Sequence, residues 1–142
     1  TNGKSESKDT SFISGLPTPC ECFIDNDTLF VKMGIGFFGG FGFNIEIFKD
    51  HFQSSFFNYT DDIKPYKLNL TDTASYSYID VKNKYQSLIL DKKPKFKEEQ
   101  YITGHLTFTS NNFYEQMNGE KFNTVSVAGK LYFVCRTNQR KK

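Results

Sequence analysis

Apolar and polar positions alternate along most of this chain, as they do in half-buried β-strands. The clearest example runs from Tyr101 to Thr109, where Ile102, Gly104, Leu106 and Phe108 share one face. A second long run, Phe122 to Arg136, places these residues on one face: Val125, Val127, Leu131, Phe133 and Cys135. We expect Gly129 to form a bulge that bends this last strand.

The same pattern predicts shorter strands over residues 20–24, 28–33, 41–47, 52–59, 66–71, 74–79 and 85–90. Asp25-Asn26-Asp27 has the composition of a hairpin turn, and residues 81–84 are predicted to turn the chain again. About nine strands at this spacing predict an all-β protein, a single antiparallel β-sandwich, with a partly closed β-barrel as the alternative.

The ends of the chain differ from its centre. Residues 1–16 are mostly polar and predict a flexible N-terminal tether, of the kind that follows a removed signal peptide or a lipidated cysteine. An ordinary frayed terminus has the same composition. Residues 17–136 form the predicted single β domain, and residues 137–142 a disordered basic tail.

Composition supports the β interpretation and excludes some functions. The chain has 16 phenylalanines, 8 tyrosines and only two alanines, which favours pleated, half-buried surfaces over helices. The formal net charge is +2, and arginine occurs only at Arg136 and Arg140, so nucleic-acid binding is disfavoured. Lysines cluster around Pro94 as either a solvated loop or a local anion-attracting patch: Lys92, Lys93, Lys95 and Lys97.

Three cysteines suggest an oxidising compartment. Cys20 and Cys22 are too close along one strand face to pair comfortably with each other. A bridge from Cys135 to either of them would tie the last strand to the first, and reduced, buried cysteines are the alternative. Structural zinc sites usually separate paired cysteines by two to four residues, so we expect no metal here.

One glycine- and phenylalanine-rich run, residues 34–43, is the most unusual part of the sequence. Core or inter-strand packing is the favoured interpretation of its phenylalanines. If Phe37, Phe38 and Phe41 are instead exposed, they form an apolar contact site for a partner or ligand. Catalytic candidates are few, because histidine, the commonest general base, occurs only at His51 and His105 and neither stands in a known catalytic motif. We therefore predict neither an enzyme nor a cofactor.

The segment Tyr101–Ser110, YITGHLTFTS, and the later segment Asn123–Phe133, NTVSVAGKLYF, resemble the C-terminal strand pair of small exported lipoproteins of Bacteroidetes. Those strands often read ITG-x-F-x-F-x and V-x-V-x-x-G-x-F; Leu106 stands where phenylalanine is commoner. The resemblance implies an acylated, periplasmic or surface-facing β domain whose function is generally uncharacterised. It carries no catalytic residue across.

These observations lead to two functional expectations. The first is a non-enzymatic, exported and lipid-anchored β-sandwich that binds another macromolecule, with an immunity or inhibitor-type partner of a secreted protein as one specialisation. In that case the only membrane contact is the N-terminal lipid. The second is a β-barrel carrier whose aromatic side chains line a cavity for a small apolar ligand.

Overall fold

The computed structural model describes residues 6–9, 20–36, 39–61, 65–96, 99–116 and 121–138. Ten strands cover most of them: β1 Glu6–Asp9, β2 Cys20–Asp25, β3 Thr28–Gly36, β4 Gly39–Ile47, β5 Phe52–Thr60, β6 Tyr66–Lys67, β7 Tyr78–Leu90, β8 Tyr101–Ser110, β9 Phe113–Gln116 and β10 Phe122–Asn138. The predicted all-β class is confirmed. Within the described ranges no helix is long and apolar enough to cross a membrane.

The strands form two packed layers. Strands β2 to β5 make one layer and β1, β6, β8, β9 and β10 the other, and hydrogen-bonded pairings of β7 and β10 join the two. Strands β2 to β5 pair in sequence as an antiparallel meander, β5 pairs with β7, β7 with β8, and β8 with β10. The end of β10 then pairs in parallel with β2, through Thr137 and Cys22, so the path of pairings returns to its start. A second parallel pairing joins β1 to residues 125–128 of β10. Otherwise the paired strands run antiparallel, as predicted.

The core between the layers is filled by the aromatic and aliphatic residues of the alternating strands. The ring of Phe43 on β4 lies 4.6 Å from that of Phe108 on β8, and 5.5 Å from that of Phe56 on β5. The largest fully buried side chains come from both layers: Phe43, Phe113, Phe133, Leu29, Met33, Ile45, Leu106 and Leu131. The inward face predicted for 102–108 is confirmed, and so is that of the last strand.

The hairpin turn between β2 and β3 is also confirmed. Asn26 and Asp27 have φ angles of 49° and 60°. Two successive residues with positive φ belong to the type I′ turn, whose twist matches that of the flanking strands, and asparagine and aspartate tolerate this conformation.

Strand β7 takes the place of a predicted strand, turn and strand. Residues 78–82 pair with β5, and from Asn83 onward the chain pairs with β8, with a register shift between Asn83 and Tyr85. The turn predicted at 81–84 is therefore wrong, because one extra residue in the ladder re-aims the strand without reversing it.

A side chain completes the sheet at this corner. Gln86 of β7 accepts hydrogen bonds from the backbone N–H and the hydroxyl of Ser54, at 3.0 and 2.7 Å, and its Nε2 donates to the carbonyl of Phe52 at 3.2 Å. The side-chain amide of Gln86 thus provides hydrogen-bond partners for backbone groups of β5 that the backbone of β7 no longer reaches.

Other predictions need correction. Of the strand predicted over 66–71 only β6 exists, because Asn69 and Asp72 form a turn and leave Leu68 and Leu70 46% and 56% exposed. Strand β9 was not predicted. The register of β10 against β8 is continuous across Gly129, so the predicted bulge is wrong.

Both predicted chain ends contribute to the sheet. Four residues of the predicted tether form β1, and the rest of residues 1–16 lies outside the described part of the chain. Strand β10 continues into the predicted tail, where Thr137 is buried.

Two neighbouring glycines give a first prediction. Gly34 of β3 pairs with Gly42 of β4, and both face the ring of Phe57. A Cβ at Gly42 would overlap the carbonyl oxygen of Met33 and the Phe57 ring, whereas a Cβ at Gly34 would sit 3.7 Å from that ring, at ordinary contact. We expect Gly42→Ala to lower the free energy of unfolding by about 1 to 3 kcal/mol. Gly34→Ala should change it by less than about 1 kcal/mol. Guanidinium unfolding measures both, and equal effects would contradict this account.

Candidate interaction surface

Of the three predicted apolar contact residues, the structure describes one. Phe37 and Phe38 lie outside the described residues. Phe41 is partly buried and packs against the core, with its ring 6.4 Å from that of Phe56. Phe41 thus contributes to inter-strand packing, which the sequence favoured, and a contact role for the other two stays a prediction.

The cysteines resolve into one bridge and one free thiol. Cys20 and Cys135 form a disulfide between β2 and β10, with Cα atoms 5.6 Å apart. Cys22 is free and buried. Its burial raises the pKa of the thiol from 9.0 to about 12. A disulfide that closes a ring of strands is compatible with an exported protein.

We expect the Cys22 thiol to resist alkylation in the folded protein. The raised pKa lowers the thiolate fraction by about a thousandfold near neutral pH, and the greater nucleophilicity of a more basic thiolate returns part of that loss. The net rate with iodoacetamide should be about thirty- to sixtyfold below that of an ordinary thiol. Mass spectrometry without reductant should find no label on the folded chain and one label on the unfolded chain. Rapid labelling of the folded chain would contradict this burial.

The two histidines lie in different parts of the fold. His51 is exposed between β4 and β5, where its Nδ1 lies 2.7 Å from Oδ1 of Asp50 and its ring stacks on Phe48 at 4.4 Å. The hydrogen bond to His51, and then the attraction of its charge, lower the pKa of Asp50. His105 lies on β8, with its ring 5.0 Å from that of Tyr132. Nδ1 of His105 is buried and has no hydrogen-bond partner in the described structure.

Metal-ligating residues do not converge where the chain is described. No group of three histidine, cysteine, aspartate or glutamate side chains there could hold a metal ion. Two of the three cysteines are joined in the disulfide.

The outward side of β7, β8 and β10 carries exposed apolar and aromatic side chains. Ile89, His105 and Tyr132 are aligned across the three strands, and Tyr85 lies on the same side of β7. Tyr85, Ile89 and Tyr101 are 63%, 62% and 68% exposed. We call the following set the outer face: Tyr85, Ile89, Tyr101, His105, Tyr132 and Val134.

The sequence contained a signal for this outer face that was not used. Tyr85, Ile89 and Val134 occupy the positions that alternation assigns to solvent, where charged or polar residues are commoner. Apolar residues at several such positions on paired strands indicate a contact surface. The pairing of β7, β8 and β10 was needed to bring them together.

The lysine-rich loop between β7 and β8 is held against the end of this surface. The backbone N–H of Lys95 donates to Oε1 of Gln100 at 3.0 Å, and Nε2 of Gln100 donates to the carbonyl of Lys95. The backbone of Gln100 is in turn bonded to Thr137 of β10. The Gln100 N–H donates to the Thr137 hydroxyl, and the Gln100 carbonyl accepts from the Thr137 N–H, both at 2.8 Å.

Two depressions flank this loop. The first, which we call the lysine cleft, has a volume of about 410 Å³ and is lined by Asp91, Lys92, Lys93, Lys95, Gln100, Tyr101 and Thr103. The second, the apolar crevice, has a volume of about 280 Å³. Its lining combines the apolar side chains of Ile47, Phe48, Phe52, Leu88, Leu90, Pro94 and Phe96 with those of Lys49, Asp50 and His51. Lys93 lines both depressions.

Comparisons with protein families, with curated proteins and with solved structures find no match for this chain.

Proposed function

We propose that this protein is a non-enzymatic binding module that recognises another protein through the outer face. The observation that carries the proposal is the exposure of Tyr85, Ile89 and Tyr101 on one side of a regular, hydrogen-bonded sheet. Exposed apolar side chains gathered on one sheet face indicate an interaction site, and tyrosine is enriched at protein interfaces because its ring buries much area at little conformational cost.

The sheet beneath the outer face would hold these side chains in fixed positions. Strand β8 pairs with β7 on one side and with β10 on the other, so the backbone at Ile89, His105 and Tyr132 lies within continuous ladders. A rigid array reduces the entropy that a partner must overcome on binding. Such a surface fits an immunity or inhibitor-type partner of a secreted protein, which must bind tightly without chemistry of its own.

A carrier of a small apolar ligand has less support. The aromatic rings that would line its cavity pack on one another instead, as Phe43 and Phe108 do at 4.6 Å, and Phe56 and Phe113 at 5.9 Å. The proposed binding surface therefore consists of aromatic residues that lie outside the core.

Site-specific crosslinking tests the proposed surface. A photo-reactive amino acid placed at Ile89 in the producing cells should yield a crosslink to one discrete protein, and the same group at Gln53 of β5 should not. Val134→Glu, which adds a charge within the outer face, should abolish the crosslink while leaving the unfolding curve close to that of the parent. No Ile89-specific product across several growth conditions would overturn the proposal.

Export and lipid anchoring belong to the same proposal. The Cys20–Cys135 disulfide supports an oxidising environment, and the polar composition of the residues before β1 supports a short tether between an anchor and the domain. Feeding cells a clickable fatty acid should label the protein made from its complete gene. Recovery of the mature protein without label would contradict anchoring and leave the binding surface unaffected.

A further inference from the structure

The lysine loop is built as a fixed feature of the fold, although its composition resembles that of a solvated loop. The side chain of Gln100 bonds both backbone groups of Lys95, and this clamp holds the two residues together. The same residue is bonded twice to Thr137, which is buried at the end of β10. The clamp therefore fixes the backbone of Lys95 at the lining of the lysine cleft, which lowers the entropy cost of binding there.

The lysine cleft has an excess of positive charge. Among the described residues that line it, three are lysines and one, Asp91, carries a carboxylate. The nearby Glu99 is engaged elsewhere, 3.5 Å from the guanidinium of Arg136. Within the described part of the chain, neither Lys92 nor Lys93 forms an ion pair. Electrostatic complementarity then favours a partner with carboxylates at this place.

The apolar crevice lies directly across Lys93 from the cleft. Phe52, Leu88 and Leu90 line it and also pack against the core. Its volume of about 280 Å³ can receive one large side chain, and it is too small for most independent ligands. Tyr101 joins the other side of the cleft to the outer face, because it belongs to both.

From this arrangement we infer that the partner contributes an acidic segment with one large apolar side chain. Its carboxylates lie in the lysine cleft beside Lys92 and Lys93, and its apolar side chain enters the crevice. The inference rests on the proposed function, which it deepens by giving the chemistry of the partner. An acidic protein segment is favoured over a nucleic acid because the cleft has lysines without arginine, includes a carboxylate, and adjoins an apolar pocket.

Fluorescence anisotropy of the folded protein with defined peptides tests the inference. The probe is a fluorescein-labelled glutamate-rich peptide with a single phenylalanine, and the comparison peptides replace the glutamates by glutamine or the phenylalanine by serine. We expect saturable binding of the probe alone at high affinity, with each replacement weakening it about tenfold or more. Raising the salt from about 0.1 M to about 1 M, which shortens the Debye length from about 10 Å to about 3 Å, should weaken it as well.

A charge-matched pair of variants locates the site. Lys92→Glu with Lys93→Glu should weaken probe binding about tenfold or more, while Lys82→Glu with Lys121→Glu, at exposed positions away from the cleft, should leave it within about twofold. Equal effects of the two variants, or no saturable binding, overturn the inference. Tighter binding of single-stranded DNA or of phosphatidylglycerol vesicles at the same lysines overturns it in favour of those ligands.

The outcome separates the inference from the proposed function. If the Ile89 crosslink persists in the Lys92→Glu, Lys93→Glu chain and the probe does not bind, the acidic segment is wrong and the outer face stands. If the Ile89 crosslink is absent while the probe binds at these lysines, the outer face is wrong as the partner surface.

Discussion

Loss of the Cys20–Cys135 disulfide is expected to lower the free energy of unfolding by about 4 to 5 kcal/mol. The bridge joins residues 115 positions apart, so its removal frees almost the whole unfolded chain from one constraint. The folded state should change little, because Thr137 and Cys22 keep β10 paired with β2 beside the bridge. A loss of this size is comparable to the total stability of many small domains.

Guanidinium unfolding of Cys20→Ala with Cys135→Ala measures this loss, and reduction of the parent protein by dithiothreitol should reproduce it. Cys22→Ala provides the control, since it removes a thiol and should leave the effect of dithiothreitol intact. If reduction left the parent as stable as before, the bridge would not be the constraint that joins the first and last strands of the ring.

The alternation of apolar and polar residues allowed most of the fold to be predicted, because the strands are buried on one face and exposed to solvent on the other. In β8 every second side chain faces the core; the alternation predicted from Tyr101 to Thr109 gives its start, and the strand ends one residue later, at Ser110. The cysteine pairing remained open between Cys20 and Cys22, because sequence cannot show which of two nearby residues lies beside Cys135. The parallel pairing of Thr137 with Cys22 decides it, by placing Cys135 level with Cys20.

The misassigned elements share a physical cause. The partner of β7 changes from β5 to β8 at Asn83, and one extra residue then shifts the register against β8. The side chain of Gln86 bonds the backbone of β5 beyond this point. Such a corner depends on contacts between residues that are distant in sequence, so its local composition resembles a turn. At Leu68 and Leu70 the local sequence alternates as a strand would, but no neighbouring strand covers these two side chains, and they stay exposed.

The candidate site was harder to predict than the fold for the same reason. The sequence located the lysine cluster and left open whether it was a solvated loop. The clamp by Gln100 and the neighbouring apolar crevice depend on the end of β10 and on the turn between β4 and β5. Residues from separate strands had to meet before the loop could be interpreted as a binding element.

The aromatic residues of this protein should therefore divide into two functional groups, and one pair of substitutions tests the division. Phe43 is 1% exposed and lies among the rings of Phe56 and Phe108. Phe43→Ala removes a large buried ring and leaves a cavity, so it should lower the free energy of unfolding by about 3 to 5 kcal/mol. Tyr101→Ala should lower it by less than about 1 kcal/mol, because the Tyr101 ring is mostly in water and its main described contact is Arg136, 6.0 Å away.

The crosslinking yield at Ile89 should respond in the opposite order, measured at a temperature where both variants are folded. Tyr101→Ala should reduce it sharply, since Tyr101 belongs to the outer face and to the lysine cleft. Phe43→Ala, in chains that remain folded, should leave it close to that of the parent, because Phe43 packs between the layers. If both substitutions reduced yield and stability together, binding would depend on the integrity of the whole fold, and the separation of core aromatics from contact aromatics would be wrong.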